Sequence, residues 1–139
     1  MKILVAIDGS AYTGRMLDYL AAHAQALGPA PEFTVMTAVD ALPSRIGGLI
    51  PTPSLDDYYA TRAREVLEPA VRFAQEHGWH TQHQHGAGRP GNVIAALAEQ
   101  GGHDMIVMGT HGHTDLGIPL GSTVEQVLAR CDTPVLLVS

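Results

Sequence analysis

Short apolar segments alternate along this chain with longer segments in which apolar residues recur every three or four positions. The short segments are typical of strands buried on both faces and cover residues 3–7, 33–39, 104–108 and 134–138. A further short segment, 79–85, is polar and also predicts a strand. Helical periodicity fills the intervals around residues 16–27, 55–77, 91–100 and 124–128. This order predicts an α/β fold, with one doubly wound, five-stranded parallel sheet and helices on both faces, in a single domain over residues 1–139.

The longest predicted connection covers residues 40–54 and contains three prolines and two glycines. Loops of this length in compact domains are commonly functional. Ligands of open parallel sheets bind at the carboxyl ends of the strands, where the strand order reverses. We therefore expect this connection to fold over a ligand bound there.

The composition and charge of the chain indicate which kinds of ligand or surface it is unsuited to bind. Hydrophobic residues make up 45% of the chain and charged residues 16%, which is typical of a globular protein. The formal net charge of −6, with Lys and Arg scattered, argues against a nucleic-acid or anionic-membrane surface. The sequence has no run of the roughly 18 to 20 apolar residues that span a bilayer. Met1 begins a strand rather than a signal peptide, and the lone Cys131 requires no oxidising compartment, so we expect a cytoplasmic protein.

The segment after the fourth apolar strand, residues 109–123, is rich in glycine. Glycines let backbone amides approach an anion closely, and Gly121 and Ser122 open the last helix, whose first amides favour a phosphate. An acidic protein can bind a nucleotide in this way through backbone N–H groups. The alternative is structural, because Ser122 and Glu125 match a capping box in which Ser122 caps the helix and the glycines serve only the turns.

Five segments match, in order, the pattern of a known family. They are ILVAIDGS at 3–10, GRP at 88–90, DMIVMGTHG at 104–112, GSTVE at 121–125 and TPVLLV at 133–138. Together they resemble the universal stress proteins over nearly the whole chain. The resemblance implies the strand order 3-2-1-4-5, with the switch point between the first and fourth strands. It also implies a stress-response regulator that binds ATP, or AMP or ADP, with or without Mg²⁺, at that point with little or no turnover.

The nucleotide-binding branch of the family carries the pattern G-x2-G-x9-G-(S/T), which holds the phosphates. By resemblance, the phosphate-binding positions in this chain are Gly109, Thr110, Gly112, Gly121, Ser122 and Thr123. Asp8 and Gly9 would lie beside the ribose and phosphates, and the backbone of Val39 would contact the adenine. Asp8 would also help to hold a magnesium ion on a bound triphosphate.

This chain departs from the family pattern in the glycine segment. Eight residues, 113–120, separate Gly112 from Gly121, where the pattern has nine. His113 stands where a basic residue often follows the second glycine, and Pro119 removes one backbone donor. Two alternatives therefore stay open: a module of the same fold that binds proteins rather than nucleotides, and a slow ATPase.

Two other patterns carry less weight. Residues 86–91 spell G-x-G-x-x-G, but the strand before them is too polar to be the first strand of a dinucleotide-binding unit. The resemblance places this segment on an edge strand, away from the switch point. His83 and His85 share one face of that strand, which we interpret as protection of an exposed edge rather than as a metal site.

The last strand is apolar on both faces, yet the implied strand order places it at an edge of the sheet. In the family this strand pairs with its copy in a second subunit. We therefore expect a homodimer whose interface contains Val135, Leu136, Leu137 and Val138.

Overall fold

The computed structural model describes residues 1–111 and 121–139. The predicted phosphate-binding position Gly112, and the departures at His113 and Pro119, lie outside these described residues. The strands within them are β1 Lys2–Ala6, β2 Glu32–Val39, β3 His80–Ala87, β4 Met105–Gly109 and β5 Val135–Val138. The helices are α1 Ala11–His23, α2 Ser44–Gly47, α3 Thr52–Glu76, α4 Pro90–Gln100 and α5 Ser122–Arg130. A short 3₁₀ helix, Ala24–Leu27, continues α1.

The five described strands form one parallel sheet in the order β3-β2-β1-β4-β5. β1 lies at the centre and is hydrogen bonded to β2 on one side and to β4 on the other. The predicted fold class and strand order are confirmed. β2 and β3 are added on one side of β1, and β4 and β5 are added on its other side. The strand order therefore reverses between the ends of β1 and β4.

Alternate residues of the central strands face two separate layers of helices. Ile3 and Val5 belong to the core that β1 shares with α1 and α3, whereas Leu4 and Ala6 belong to the core that it shares with α4 and α5. Because both faces of β1 are buried over residues 3–6, these residues must all be apolar. Of the described helices, none combines the length and the apolar character needed to cross a bilayer.

The connection over residues 40–54 contains more helix than the sequence predicts. Residues 44–47 form α2, and α3 begins at Thr52 rather than near Leu55. Pro53 lies in the first turn of α3, where the missing N–H has no intrahelical partner to lose, so it does not stop the helix. The Leu42 N–H donates to Tyr59 Oη at 3.0 Å and joins the connection to α3.

The two edges of the described sheet differ in polarity. β3 pairs with β2, and most of its residues are polar and exposed on both faces. β5 pairs with β4; Val135, Leu136 and Leu137 are half-buried, and Val138 is buried. The β5 edge therefore presents apolar side chains where the β3 edge presents histidine and glutamine.

Candidate functional site

A cavity of about 550 Å³ lies at the carboxyl ends of β1, β2 and β4. Small-molecule sites in proteins usually have volumes of roughly 300–1,000 Å³. The predicted binding positions on its wall are Asp8, Val39, Gly109, Gly121, Ser122 and Thr123. Gly9 and Thr110 lie in the same two turns, but they do not belong to the described wall.

The turn between β1 and α1 places Asp8 at the cavity. Two of its backbone N–H groups are hydrogen bonded to nearby side chains. The Ser10 N–H donates to Asp8 Oδ1 at 2.8 Å, and the Gly9 N–H donates to Thr13 Oγ1 at 3.2 Å. The Ser10 hydroxyl caps α1 by accepting the Tyr12 N–H at 3.3 Å. Gly9 has a φ of 79°, which strains any residue with a side chain. Gly9 thus serves the chain reversal, and Asp8 lies on the cavity wall.

Two backbone hydrogen bonds hold the start of α5 beside the end of β4. The Thr110 N–H donates to the Val138 carbonyl at 3.1 Å, and the Gly121 N–H donates to the Thr110 carbonyl at 2.8 Å. These bonds engage the amides of both residues within the protein. Through them Thr110 links β4 to both β5 and the start of α5.

The capping box proposed for Ser122 is wrong. Gly121 is the N-cap residue of α5, with an extended backbone at φ −67° and ψ 153°, and as a glycine it has no side chain with which to cap the helix. A side chain can reach back to the first amides only from the extended N-cap position, and Ser122 is already the first helical residue. Ser122 and Thr123 line the cavity, so the first turn of α5 faces it.

The end of β2 contributes Val39 and Asp40 to the wall, and α4 contributes Pro90 and Ile94. The Val39 carbonyl accepts the Gly88 N–H at 2.9 Å, which draws the start of α4 toward the cavity. The expectation that residues 86–91 lie away from the switch point is therefore wrong for Pro90. The reason is that α4 leaves the edge strand β3 and packs back across β2.

Tyr12 is a wall residue that sequence reasoning missed. Its Cβ lies so close to Gly109 that a Cβ added there would be 2.7 Å away. The Tyr12 ring lies 5.9 Å from the ring of His111, which also lines the cavity, and 5.0 Å from Cζ of Arg15. The signal available in the sequence was the position of Tyr12, four residues after Asp8 in the first turn of α1.

Arg62, Val66 and Gln126 also line the cavity and were not predicted. They come from the interiors of α3 and α5, where no local motif marks them. Only the packing of α3 and α5 against the sheet brings them to the carboxyl edge. Asp40 could have been found, because it directly follows the strand residue Val39.

The described wall carries charge of both signs, from Asp8, Asp40 and Arg62, together with the imidazole of His111. Within the described residues the ion pair joins Arg72 to Glu68, at 3.0 Å on the exposed side of α3, away from the cavity. Over residues 1–111 and 121–139, no group of three or more His, Cys, Asp or Glu side chains is placed to hold a metal ion.

The family assignment follows from comparison with known proteins. A model of the universal stress protein family matches residues 1–139. The chain belongs to this family. The resemblance noted in the sequence is thereby confirmed.

Two curated universal stress proteins show how far the likeness extends. YxiE from Bacillus subtilis is 31% identical over 150 residues, which cover 99% of this chain and 97% of YxiE. MJ0531 from Methanocaldococcus jannaschii is 40% identical over 76 residues, which cover 54% of this chain and 45% of that protein. The chain thus matches about half the length of the Methanocaldococcus relative and nearly all of the Bacillus one.

Solved structures share the fold of this universal stress protein. MJ0577 of M. jannaschii superposes with a TM-score of 0.75 at 26% identity, over 99% of this chain and 94% of that one. The universal stress protein from Archaeoglobus fulgidus in complex with dAMP gives 0.68 at 21% identity, over 100% and 98%. A family protein from Arabidopsis thaliana with AMP bound gives 0.68 at 15% identity, over 99% and 90%. The likeness to the last two establishes the fold.

Proposed function

We propose that this universal stress protein binds an adenine nucleotide in the cavity at the ends of β1 and β4 and acts as a regulator in a cytoplasmic stress response. One observation carries the proposal: the first turn of α5, the Asp8 carboxylate and the end of β2 at Val39 share the wall of a single cavity. These features suit the phosphates, the ribose and the base of one ligand. The relatives with bound AMP and dAMP support adenine as the base.

The phosphates would bind at the start of α5. The first N–H groups of a helix lack carbonyl partners and carry the positive end of its dipole, so they favour an anion. The Ser122 hydroxyl is a further donor on the wall. Gly109 and Gly121 border this region without side chains that would obstruct a phosphate.

Asp8 would bind the ribose and a magnesium ion. Ser10 fixes one oxygen of this carboxylate, and a carboxylate has further lone pairs with which to accept a ribose hydroxyl. Magnesium usually binds one or two carboxylates together with waters and phosphates, so a single carboxylate beside the phosphate region fits a Mg²⁺–ATP complex.

The adenine would lie at the end of β2. The wall there is apolar through Met36, Ala38 and Ile94, which suits a flat aromatic base. The Val39 carbonyl already accepts the Gly88 N–H, but a carbonyl oxygen has two lone pairs and can accept a second bond from the adenine amino group.

We further propose that the protein hydrolyses the nucleotide slowly or not at all and that it acts as a homodimer. The sequence contains no motif that activates a nucleophile, so nucleotide occupancy rather than turnover would carry the signal. The apolar edge strand β5 has backbone groups available for a second copy of itself, in contrast to the polar edge at β3.

Isothermal titration of nucleotide-stripped protein with ATP and Mg²⁺ tests the binding proposal. We expect saturable binding near one nucleotide per subunit, abolished in Gly121→Val, with Gly14→Val as the control because a side chain at Gly14 meets open space. Circular dichroism establishes that both variants are folded. The absence of heat at millimolar ATP would refute nucleotide binding and favour the protein-interaction module, and steady phosphate release would favour the slow ATPase.

A further inference from the structure

Arg62 reaches the cavity from α3, an element in which no nucleotide-binding position was predicted. Residues 52–62 of the helix are exposed or half-buried, and Ala63 is its first buried residue. Val66, one turn after Arg62, packs over the β1–α1 turn, with its methyl groups 3.8 Å from the position of a Cβ on Gly9. Arg62 precedes Val66 by one helical turn on the same face, and both share the cavity wall with Asp8.

The guanidinium of Arg62 has no carboxylate partner among the described residues. The guanidinium lies over the ring of Tyr58, whose centroid is 5.9 Å from Cζ. Cation–π contact at an exposed site is weak and leaves the N–H donors of the guanidinium available. The side chain is thus a charged donor on a cavity wall rather than one half of a structural ion pair.

A positive side chain on the cavity wall would favour a phosphorylated ligand. Two carboxylates, Asp8 and Asp40, lie on the described wall and repel phosphates. Residues 110–120, between the two glycines that border the site, contain neither Lys nor Arg. Arg62 is the side chain of the described wall that carries a full positive charge at neutral pH.

We propose that Arg62 binds a phosphate group of the bound nucleotide and thereby makes the site select nucleotides over nucleosides. The inference rests on the proposed nucleotide function. The long helix α3 would supply the positive charge that the glycine segment of this chain lacks. A guanidinium suits this task because its forked donors match two phosphate oxygens at once.

Titration of Arg62→Gln with Mg²⁺–ATP and with adenosine tests this assignment, with Arg64→Gln as the matched control. Arg64 is exposed on the same helix and does not line the described cavity, so both variants remove one positive charge from α3. We expect Arg62→Gln to weaken ATP binding about tenfold or more, and adenosine binding less than about twofold. Arg62→Lys should retain an intermediate affinity for ATP, because it keeps the charge and loses the fork.

The salt dependence of ATP binding is a second readout. The loss of a phosphate contact should make the affinity of Arg62→Gln fall less steeply with salt than that of the wild type. Equal losses for ATP and adenosine, equal losses in Arg62→Gln and Arg64→Gln, or an unchanged salt dependence would each overturn the assignment of Arg62. A wild-type protein that binds no nucleotide would instead refute the proposed function, and this inference with it.

Discussion

At the scale of single residues, the site depends on close approach between elements as much as on hydrogen-bonding groups. The backbone of Gly109 does not have the positive φ that only glycine adopts readily. Its lack of a side chain is needed instead because Tyr12 packs directly against it. The family pattern marks this glycine as a phosphate-loop residue, and the structure adds that it also lets α1 approach β4.

We predict that Gly109→Ala destabilises the protein by about 1–3 kcal/mol, the usual cost of an overpacked site. The new Cβ would be 2.7 Å from Tyr12 Cβ and 3.3 Å from the His111 carbonyl oxygen, and both neighbours must move. Gly14→Ala in α1 meets open space and should stabilise the protein by about 0.5–1 kcal/mol through helix propensity. Urea unfolding of the two variants measures both effects, and a Gly109→Ala variant as stable as the wild type would contradict the prediction.

At the scale of elements, the cavity depends on how α4 and α5 pack on their shared face of the sheet. α4 and α5 meet where Gly91 lies against Gln126, and a Cβ on Gly91 would overlap the Cβ of Gln126. The starts of both helices line the cavity, through Pro90 and through Ser122. Any change that separates the two helices should therefore alter the site as well as the stability.

Gly91→Ala is expected to lower both stability, by about 1–3 kcal/mol, and nucleotide affinity. The Cβ of Gln126 is attached directly to the backbone of α5, so the overlap cannot be relieved by a side-chain rotation alone. Unfolding in urea and titration with ATP measure the two losses, and Gly14→Ala again serves as the control. A loss of stability with unchanged affinity would show that the cavity does not depend on this helix contact.

The connection between β2 and α3 is held by the hydrogen bond from Leu42 to the Tyr59 hydroxyl. Arg45 is the sole Lys or Arg within residues 40–54 and offers trypsin one cleavage site there. We predict that Tyr59→Phe accelerates cleavage after Arg45, because the connection loses its acceptor on α3. Tyr58→Phe is the control, since the Tyr58 hydroxyl has no hydrogen bond among the described residues.

The same assay examines whether this connection folds over a ligand, which stays a prediction. Asp40 is the residue of the connection that lies on the described cavity wall. Saturating ATP should slow cleavage after Arg45 in the wild type if the connection closes over the nucleotide. Unchanged cleavage with ATP bound would contradict closure, and equal cleavage of the two tyrosine variants would contradict the role of Tyr59.

At the scale of the whole molecule, the two sheet edges predict where a second copy binds. We expect the wild type to sediment as a dimer and Leu137→Lys as a monomer, because a charge placed on the apolar β5 edge opposes its pairing. Gln82→Lys on the polar β3 edge is the matched control and should leave the dimer intact. A monomeric wild type, or dissociation caused by Gln82→Lys alone, would refute an interface at β5.

The sequence by itself determined the five strands, the four longer helices, the fold class and the positions that a family pattern marks. Uninterrupted apolar strands such as residues 3–7 indicate burial on both faces, and this local property predicts a parallel sheet without knowledge of any contact. The start of α3 could not be predicted from the sequence, because Pro53 is typical both of a loop and of the first turn of a helix.

Only the tertiary structure decided which further residues share the site. Tyr12, Arg62, Pro90 and Gln126 come from four different helices and carry no common motif, yet they line one cavity. It also decided that Gly121, and not Ser122, is the N-cap residue of α5, where the backbone bond from Gly121 to Thr110 holds it beside β4. The physical reason is that a parallel sheet brings the carboxyl ends of distant strands together, so the composition of the site depends on helix packing across the sheet rather than on neighbours in the chain.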